Sequence, residues 1–347
     1  MRIIKTKNSS YCLNGFCKGC RQCIKGEKLV LFISGKCLRN CWYCSLSKKR
    51  KNMDKIWANE REISNAKELI EETEQSRAKG AGITGGDPLL FLSRTIKFAK
   101  ALKRKFGKKF HIHIYLPTKL INKKNIKKLS KCADEFRLHP DFLISNNFKE
   151  GIEKIILVNH IIGKSKLGIE LPMIPDKKKE IFSFVLSIKN YISFLNLNEF
   201  ELSETNFNIV TKKYKLIEGG YIVKDSLKSG LWLLNELKKR KINLKVHLCT
   251  DELKSWHQFK NRLKRHKILK FSKQLPDGAI AYFAVRHNNI KNIIKLKNRI
   301  KTGFIDKNKS QLIIPKSAIN KLKGKEKLFR IEEFPTFDRT ETEVSEI

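Results

Sequence analysis

From Lys28 onward the chain alternates short apolar runs with longer amphipathic ones. Leu29-Val30-Leu31-Phe32-Ile33 is a continuous apolar run that predicts a buried strand, ending at Ser34-Gly35. Asn65-x-x-Glu68 offers a capping box, and the helix it opens is expected to stop at Lys79-Gly80. Ala81–Thr84 predicts the next strand and leads into Gly85-Gly86-Asp87-Pro88. In the helix after it Leu92, Ile96, Ala99, Leu102 and Phe106 share one face at steps of three and four, with lysines and arginines on the other. The rhythm continues with strands expected at His111–Leu116, Glu135–His139, Leu167–Met173, Glu199–Leu202 and Leu244–Cys249. Helices are expected between them at Lys123–Cys132, Glu150–His160, Lys178–Phe194 and Lys228–Lys241.

Strands alternating with helices imply an α/β fold with a parallel sheet. Six or seven such units favour a (β/α) barrel, partial or complete, whose chemistry would sit at the carboxyl ends of the strands. After about Lys273 the rhythm changes. Ala279–Val285, Gly303–Ile305, Gln311–Ile314 and Leu328–Glu332 are short β-like runs separated by turn residues. The expected organisation is a Cys-rich metal-binding segment at 1–27, a barrel at 28–270, a small β-rich domain at 271–337 and a loosely ordered acidic tail at 338–347.

With 41% hydrophobic residues the chain can bury a sizeable core. No stretch approaches the roughly 18 to 20 uncharged apolar residues of a membrane helix, since Lys189 interrupts the most apolar candidate, Ile181–Leu195. Met1-Arg2-Ile3-Ile4-Lys5 turns polar too soon for a secretory signal, so a cytoplasmic location without a membrane partner is expected. Disulfides are rare there. Seven of the nine cysteines nevertheless fall between Cys12 and Cys44, a clustering that points to metal.

Cys37-Leu38-Arg39-Asn40-Cys41-Trp42-Tyr43-Cys44 has the spacing C-x3-C-x2-C directly after the first barrel strand. Three thiolates can hold three irons of a cubane and leave the fourth open to a ligand, whereas four cysteines would close it. Structural zinc wants four ligands, usually as two separated pairs. The triplet, with Tyr43 just before its last cysteine, resembles the signature of the radical S-adenosylmethionine (SAM) superfamily. Gly85-Gly86-Asp87-Pro88 after the second strand is similar to that family's glycine–glycine–glutamate motif, with Asp87 where the family has glutamate. The resemblance covers residues 28 to about 250. More narrowly, Cys17–Ser47 resembles a chiefly archaeal group related to the activating enzymes of glycyl-radical proteins such as pyruvate formate-lyase.

The resemblance implies a 4Fe–4S cluster on Cys37, Cys41 and Cys44, with SAM chelating the open iron. It implies reductive cleavage of the sulfonium C–S bond to a 5′-deoxyadenosyl radical that abstracts hydrogen, with an electron-donor protein as partner. Gly85, Gly86, Asp87, Pro88 and Tyr43 would line the SAM site. Arg137, Glu170 and Glu201, polar residues ending later strands, are candidates for its ribose or carboxylate, or are ordinary strand-end salt bridges.

Cys12-x4-Cys17-x2-Cys20-x2-Cys23 forms a second four-thiolate set, for an auxiliary iron–sulfur cluster or for zinc. Cys132 and Cys249 read as buried thiols, Cys249 keeping a possible role because it ends a strand.

Charge bears on the target. Lys+Arg 74 against Asp+Glu 34 gives +40. Arg94 to Lys131 holds 14 basic residues and no acidic one, and Leu253 to Lys301 another 14 opposed only by Asp277. Lys254-Ser255-Trp256-His257-Gln258-Phe259-Lys260, continuing to Arg265, mixes bases with aromatics that could stack on unpaired nucleobases. Radical modification of RNA, chiefly tRNA, is therefore the leading expectation. A protein or peptide target is the alternative, and a non-catalytic, zinc-stabilised RNA-binding protein the second.

Overall fold

The computed structural model describes all 347 residues, in two compact units: residues 1–74 with 78–259, and 75–77 with 260–347. The first unit runs β1 (Ile3–Lys5), β2 (Tyr11–Leu13), α1 (Lys18–Ile24), β3 (Lys28–Phe32), β4 (Ile56–Ala58), β5 (Arg61–Ile63), α2 (Ala66–Gln75), β6 (Gly80–Thr84), α3 (Leu92–Phe106), β7 (His111–Pro117), α4 (Lys123–Leu129) and β8 (Glu135–His139). It continues with α5 (Phe142–Ser145), α6 (Phe148–Ile162), β9 (Leu167–Met173), α7 (Lys178–Ile188), β10 (Phe194–Glu199), α8 (Phe207–Lys213), α9 (Ser226–Lys239) and β11 (Lys245–Cys249).

Strands β3, β6, β7, β8, β9, β10 and β11 lie side by side in that order, each parallel to the next. Antiparallel hairpins cover both edges: β2 with β1 on β11, and β4 with β5 on β3. This is a partial parallel barrel, since the two ends of the sheet are not paired to each other.

The two faces of the strands carry different chemistry. Outward residues such as Leu29, Leu31, Ile112, Ile114, Phe136, Leu138, Ile169, Leu171, Val246 and Leu248 are buried in the main apolar core. Helices cover them; Gly230 of α9 lies so close to the sheet that a Cβ would stand 2.5 Å from a Leu248 methyl. Apart from Val30 and Phe194, inward positions are mostly polar or tiny: Lys28, Gly80, Gly82, His111, His113, Tyr115, Glu135, Arg137, Gly168, Asn196, Asn198 and His247. Small and large alternate across this face. A Cβ on Gly82 would meet the His113 ring at 2.6 Å, and one on Gly168 the Phe194 ring at 2.2 Å.

The Cys-rich segment, whose sequence shows neither helical nor strand periodicity, forms β1, β2 and α1, and α1 fills the lumen. Its Gly19 N–H donates to Glu135 Oε2 at 3.0 Å, and Cys20 Sγ reaches Asn196 Oδ1 at 3.4 Å. A second correction concerns the apolar run 181–195. Helix α7 stops at Ile188, and the strand falls at Phe194–Glu199 instead of Glu199–Leu202. A buried helix and a buried strand have the same unbroken apolar pattern, so periodicity alone could not place the boundary.

The second unit runs α10 (Phe259–Arg265), β12 (Lys273–Gln274), β13 (Ile280–Arg286), α11 (Ile290–Ile300), β14 (Phe304–Asp306), β15 (Gln311–Ile314), α12 (Ile319–Leu322), β16 (Leu328–Glu333) and β17 (Glu341–Glu346). Its sheet is antiparallel, with β13 central. Helix α11 was not expected. The acidic tail, expected to be loose, is strand β17 along β16. Its charges are matched rather than repelled: Glu341 meets Arg286 at 2.5 Å and Lys309 at 2.6 Å.

Candidate active site

Backbone contacts fix the loop that follows β3. The Gly35 N–H donates to Met53 O at 2.8 Å, and Asn52 N–H returns to Gly35 O at 3.1 Å. Arg39 Nη1 reaches His139 O at 2.5 Å and Nη2 reaches Pro140 O at 3.3 Å, tying the loop to the end of β8. Thr205 Oγ1 donates to Leu46 O at 2.6 Å, and Ser203 Oγ to Cys44 O at 3.2 Å. Trp42 packs edge-on to Phe200 and stacks on Tyr214.

So held, Cys37, Cys41 and Cys44 are half-buried and line one cavity of about 540 Å³ at the carboxyl ends of the strands. That volume lies within the range of small-molecule sites. Burial pushes the Cys37 and Cys41 thiols up.

Gly85 and Gly86 border the same cavity. Gly85 has φ +150°, and a Cβ there would stand 2.6 Å from Ser34 O; one on Gly86 would stand 2.3 Å from Lys36 O. Both must be glycine because the cysteine loop's own backbone rides over them. The Gly86 N–H is already taken, donating to Ser34 O at 2.8 Å. Their carbonyls accept no hydrogen bond from the protein. Three thiols beside two carbonyls left without donors fit a cluster with an aminoacyl co-substrate.

The other expected residues divide. Tyr43 lines the cavity and its hydroxyl meets His139 Nε2 at 3.1 Å. Glu170 lines it, held by Arg137 Nη1 at 3.0 Å and Asn198 Nδ2 at 2.9 Å. Glu201 lines it, ion-paired to Lys254. Arg137 is not among the lining residues. It lies beneath, 2% exposed, its Nε on Glu135, its Nη1 on Tyr115 and Glu170, and its Nη2 on Glu135 and on the sulfurs of Cys17 and Cys20 at 3.3 Å each. With every donor committed to protein it cannot also hold a ligand. Asp87 is likewise absent from the lining: its Oδ1 accepts from Leu89 N–H at 2.9 Å, and burial pushes its carboxyl up to about 6. Pro88 O accepts from Thr95 Oγ1, which closes the turn.

The four amino-terminal thiols are not drawn to one point. Cys12 lies on β2 opposite His247, Cys17 and Cys20 share the Arg137 guanidinium, and Cys23 lines the cavity. No group of three or more ligating side chains stands close enough for a single ion, here or at Cys37, Cys41 and Cys44. A cubane, binding each thiolate at a different iron, does not require that closeness. Cys132 and Cys249 are buried thiols, Cys132 Sγ donating to Leu129 O at 3.4 Å.

Several lining residues escaped the sequence reading. His139 accepts or donates at both ring nitrogens, meeting Glu170 O at 2.8 Å, and burial pulls it down to about 3, so it is neutral. Lys254, taken with Trp256 as a stacking surface for RNA, instead enters the cavity, where burial lowers it to about 8; Trp256 stays outside, 52% exposed. Asn198, Glu199 and Gln258 complete this side. The signal for these residues was present as alternation: His111-x-His113-x-Tyr115, Glu135-x-Arg137-x-His139 and Asn196-x-Asn198 place a polar side chain at every second position of a parallel strand, where an unbroken apolar run is usual.

Residues 31–159 match the radical SAM superfamily. The chain carries a radical SAM domain, and the cofactors of that family are a 4Fe–4S cluster and SAM. Within the class it is similar to a Methanocaldococcus jannaschii protein provisionally named a glycyl-radical enzyme activating enzyme, at 40% identity over 257 residues, 71% of this chain and 66% of that one. The match thus spans just under two thirds of the relative's length. Among solved structures, the radical SAM methyltransferase TsrM of Kitasatospora setae, with tryptophan and a SAM analogue bound, aligns with 70% of this chain and 52% of its own at 9% identity and TM-score 0.39. A second TsrM structure, with cobalamin and a [4Fe-4S] cluster, aligns at 7% and 0.37. That likeness is too slight to bear on the site. No helix is long and apolar enough to cross a membrane.

Proposed function

We propose that the protein starts radical chemistry on a polypeptide, as an activating enzyme does. The observation that carries this reading is the 40% identity to a relative named for activating glycyl-radical enzymes. The leading expectation from composition, RNA modification, has no support from that relative; the two stretches holding 14 basic residues each keep it as the second reading.

In this proposal Cys37, Cys41 and Cys44 hold the cluster, and the carbonyls of Gly85 and Gly86 receive the amino group of SAM. When bound, cluster and SAM together supply a reductively generated carbon radical that abstracts hydrogen. Glu170, oriented from below by Arg137 and from the side by Asn198, presents a fixed acceptor for hydroxyl or amino groups. Lys254, paired with Glu201, presents the cation for a carboxylate. Neutral His139 locks Tyr43 and so the last turn of the cysteine loop. Electrons come from a separate donor protein.

The test is anaerobic reconstitution with SAM and reductant, followed by electron paramagnetic resonance on candidate glycine-bearing polypeptides. The expected result is a polypeptide-centred organic radical in step with 5′-deoxyadenosine. Formation of 5′-deoxyadenosine stimulated by tRNA, with altered nucleosides in the digest and no polypeptide radical, would replace this reading with the second.

A further inference from the structure

The lumen has a second mouth. At the amino ends of β7 to β11 a cavity of about 350 Å³ is floored by buried Cys17, His111, Glu135 and Phe194. Around it stand Lys18, Arg21, Lys108, Lys109, Lys166 and Lys245. None of these six side chains has a hydrogen-bond or ion-pair partner in the protein. The two carboxylates in the lining are committed elsewhere. Asp134 is held by Lys103 at 2.6 Å and by Ile112 N–H at 2.8 Å, and Glu135 by Arg137 and Gly19. His111 adds no opposing charge.

Six unpaired cations around one concavity repel one another, and a fold keeps such an arrangement at a cost that a bound polyanion relieves. Five of the six are lysines. An ammonium binds as a point charge and suits the round, multiply charged phosphate group, whereas a planar carboxylate is better gripped by the forked donors of arginine. The volume lies near the lower end of ligand cavities, which favours a compact anion over a polymer lying across the surface.

We infer that this amino-end cavity is a binding site for a compact oligophosphate, either a free anion or the phosphate chain of a nucleotide. It is separate from the radical site and independent of the polypeptide reading. Helix α1 joins the two places: Cys17 borders the phosphate cavity and Cys23 the cysteine-lined one, six residues or about 9 Å along the helix.

The experiment is calorimetric titration of the full chain with inorganic tripolyphosphate and, separately, with ATP. Two triple variants of equal net charge are compared. One is Lys108→Ala, Lys109→Ala, Lys245→Ala at the cavity; the other is Lys291→Ala, Lys295→Ala, Lys297→Ala on α11. The expected result is saturable 1:1 binding, weakened at least tenfold by the cavity triple and less than twofold by the α11 triple. ATP binding tighter than tripolyphosphate would identify a nucleotide, and equal affinities the free anion. Equal losses in the two triples would reduce the effect to bulk charge and overturn the site, as would no saturable binding. A single-stranded RNA that alone depends on the cavity lysines would also overturn it. Thermal unfolding of both triples checks that neither loss reflects misfolding.

Discussion

Arg137 is the residue on which the lumen turns. Fully buried, it joins β8 to β7 through Tyr115, to β9 through Glu170 and to α1 through two sulfurs. Removing one partner from a buried ion network leaves the others uncompensated, at a cost of about 3–5 kcal/mol. Arg137→Met should therefore lower the unfolding free energy by about that amount in urea titration. A loss under about 1 kcal/mol would show that the network is not closed as described. The sequence marked Arg137 as a candidate because it ends a strand with a charge. It could not show that the charge was already spent, because the partners lie between 2 and 120 residues away. His139 has the opposite history: only its place in the alternation along β8 marked it, yet it sits between the loop tyrosine and the β9 backbone.

At the scale of elements, most strands and helices of the barrel were legible because outward faces are apolar and helices are amphipathic with usable caps. Asn65 Oδ1 does accept from Glu68 N–H at 3.0 Å, while Glu68 reaches back to Ser64 N–H. Illegible parts have local causes. The helix–strand boundary between Ile188 and Phe194 lies inside one apolar run, and α1 is too short and too lumen-bound to show a face. The three glycines of the inner wall, Gly80, Gly82 and Gly168, were also silent, since their neighbours are set by register. Gly168 faces the Phe194 ring across a parallel pair. Gly168→Ala should cost about 1–3 kcal/mol by overpacking, and adding Phe194→Leu should recover at least half. Denaturation midpoints of the three chains decide this; a neutral Gly168→Ala would contradict the close packing. Of the site, the cysteine loop and the two glycines were readable as motifs. The polar lining from β8 to β10 was readable only once the inner face of the barrel was known.

For the whole molecule, the lumen stores buried neutral histidines. Burial is the first cause in each case, pulling His111 down to about 4, His139 and His247 to about 3, and His113 well below its usual value. Below about pH 6.5 the unfolded chain protonates these rings while the folded chain does not. The unfolded state then binds more protons, so stability falls as pH falls from about 6.5 toward 4, by up to about 1.4 kcal/mol per pH unit for each ring. Asp87, raised to about 6, and Glu199, also raised by burial, act in the opposite sense but are two groups against four. Lys28, which burial lowers to about 7, extends the rise in stability above neutrality, because the unfolded lysine keeps its proton to about 10.4. Urea midpoints measured from pH 7 down to pH 5 should drop steeply. A flat profile would mean that the lumen is wet.

The central claim is that Cys37, Cys41 and Cys44 hold the cluster to which SAM binds. Its most direct test is the electron paramagnetic resonance spectrum of the anaerobically reduced protein before and after SAM is added, in wild type, Cys41→Ala and Cys132→Ala. Wild type and Cys132→Ala should give a cluster signal that changes on SAM addition, and Cys41→Ala should give no SAM-responsive signal. A SAM-responsive signal that survives in Cys41→Ala would contradict the account.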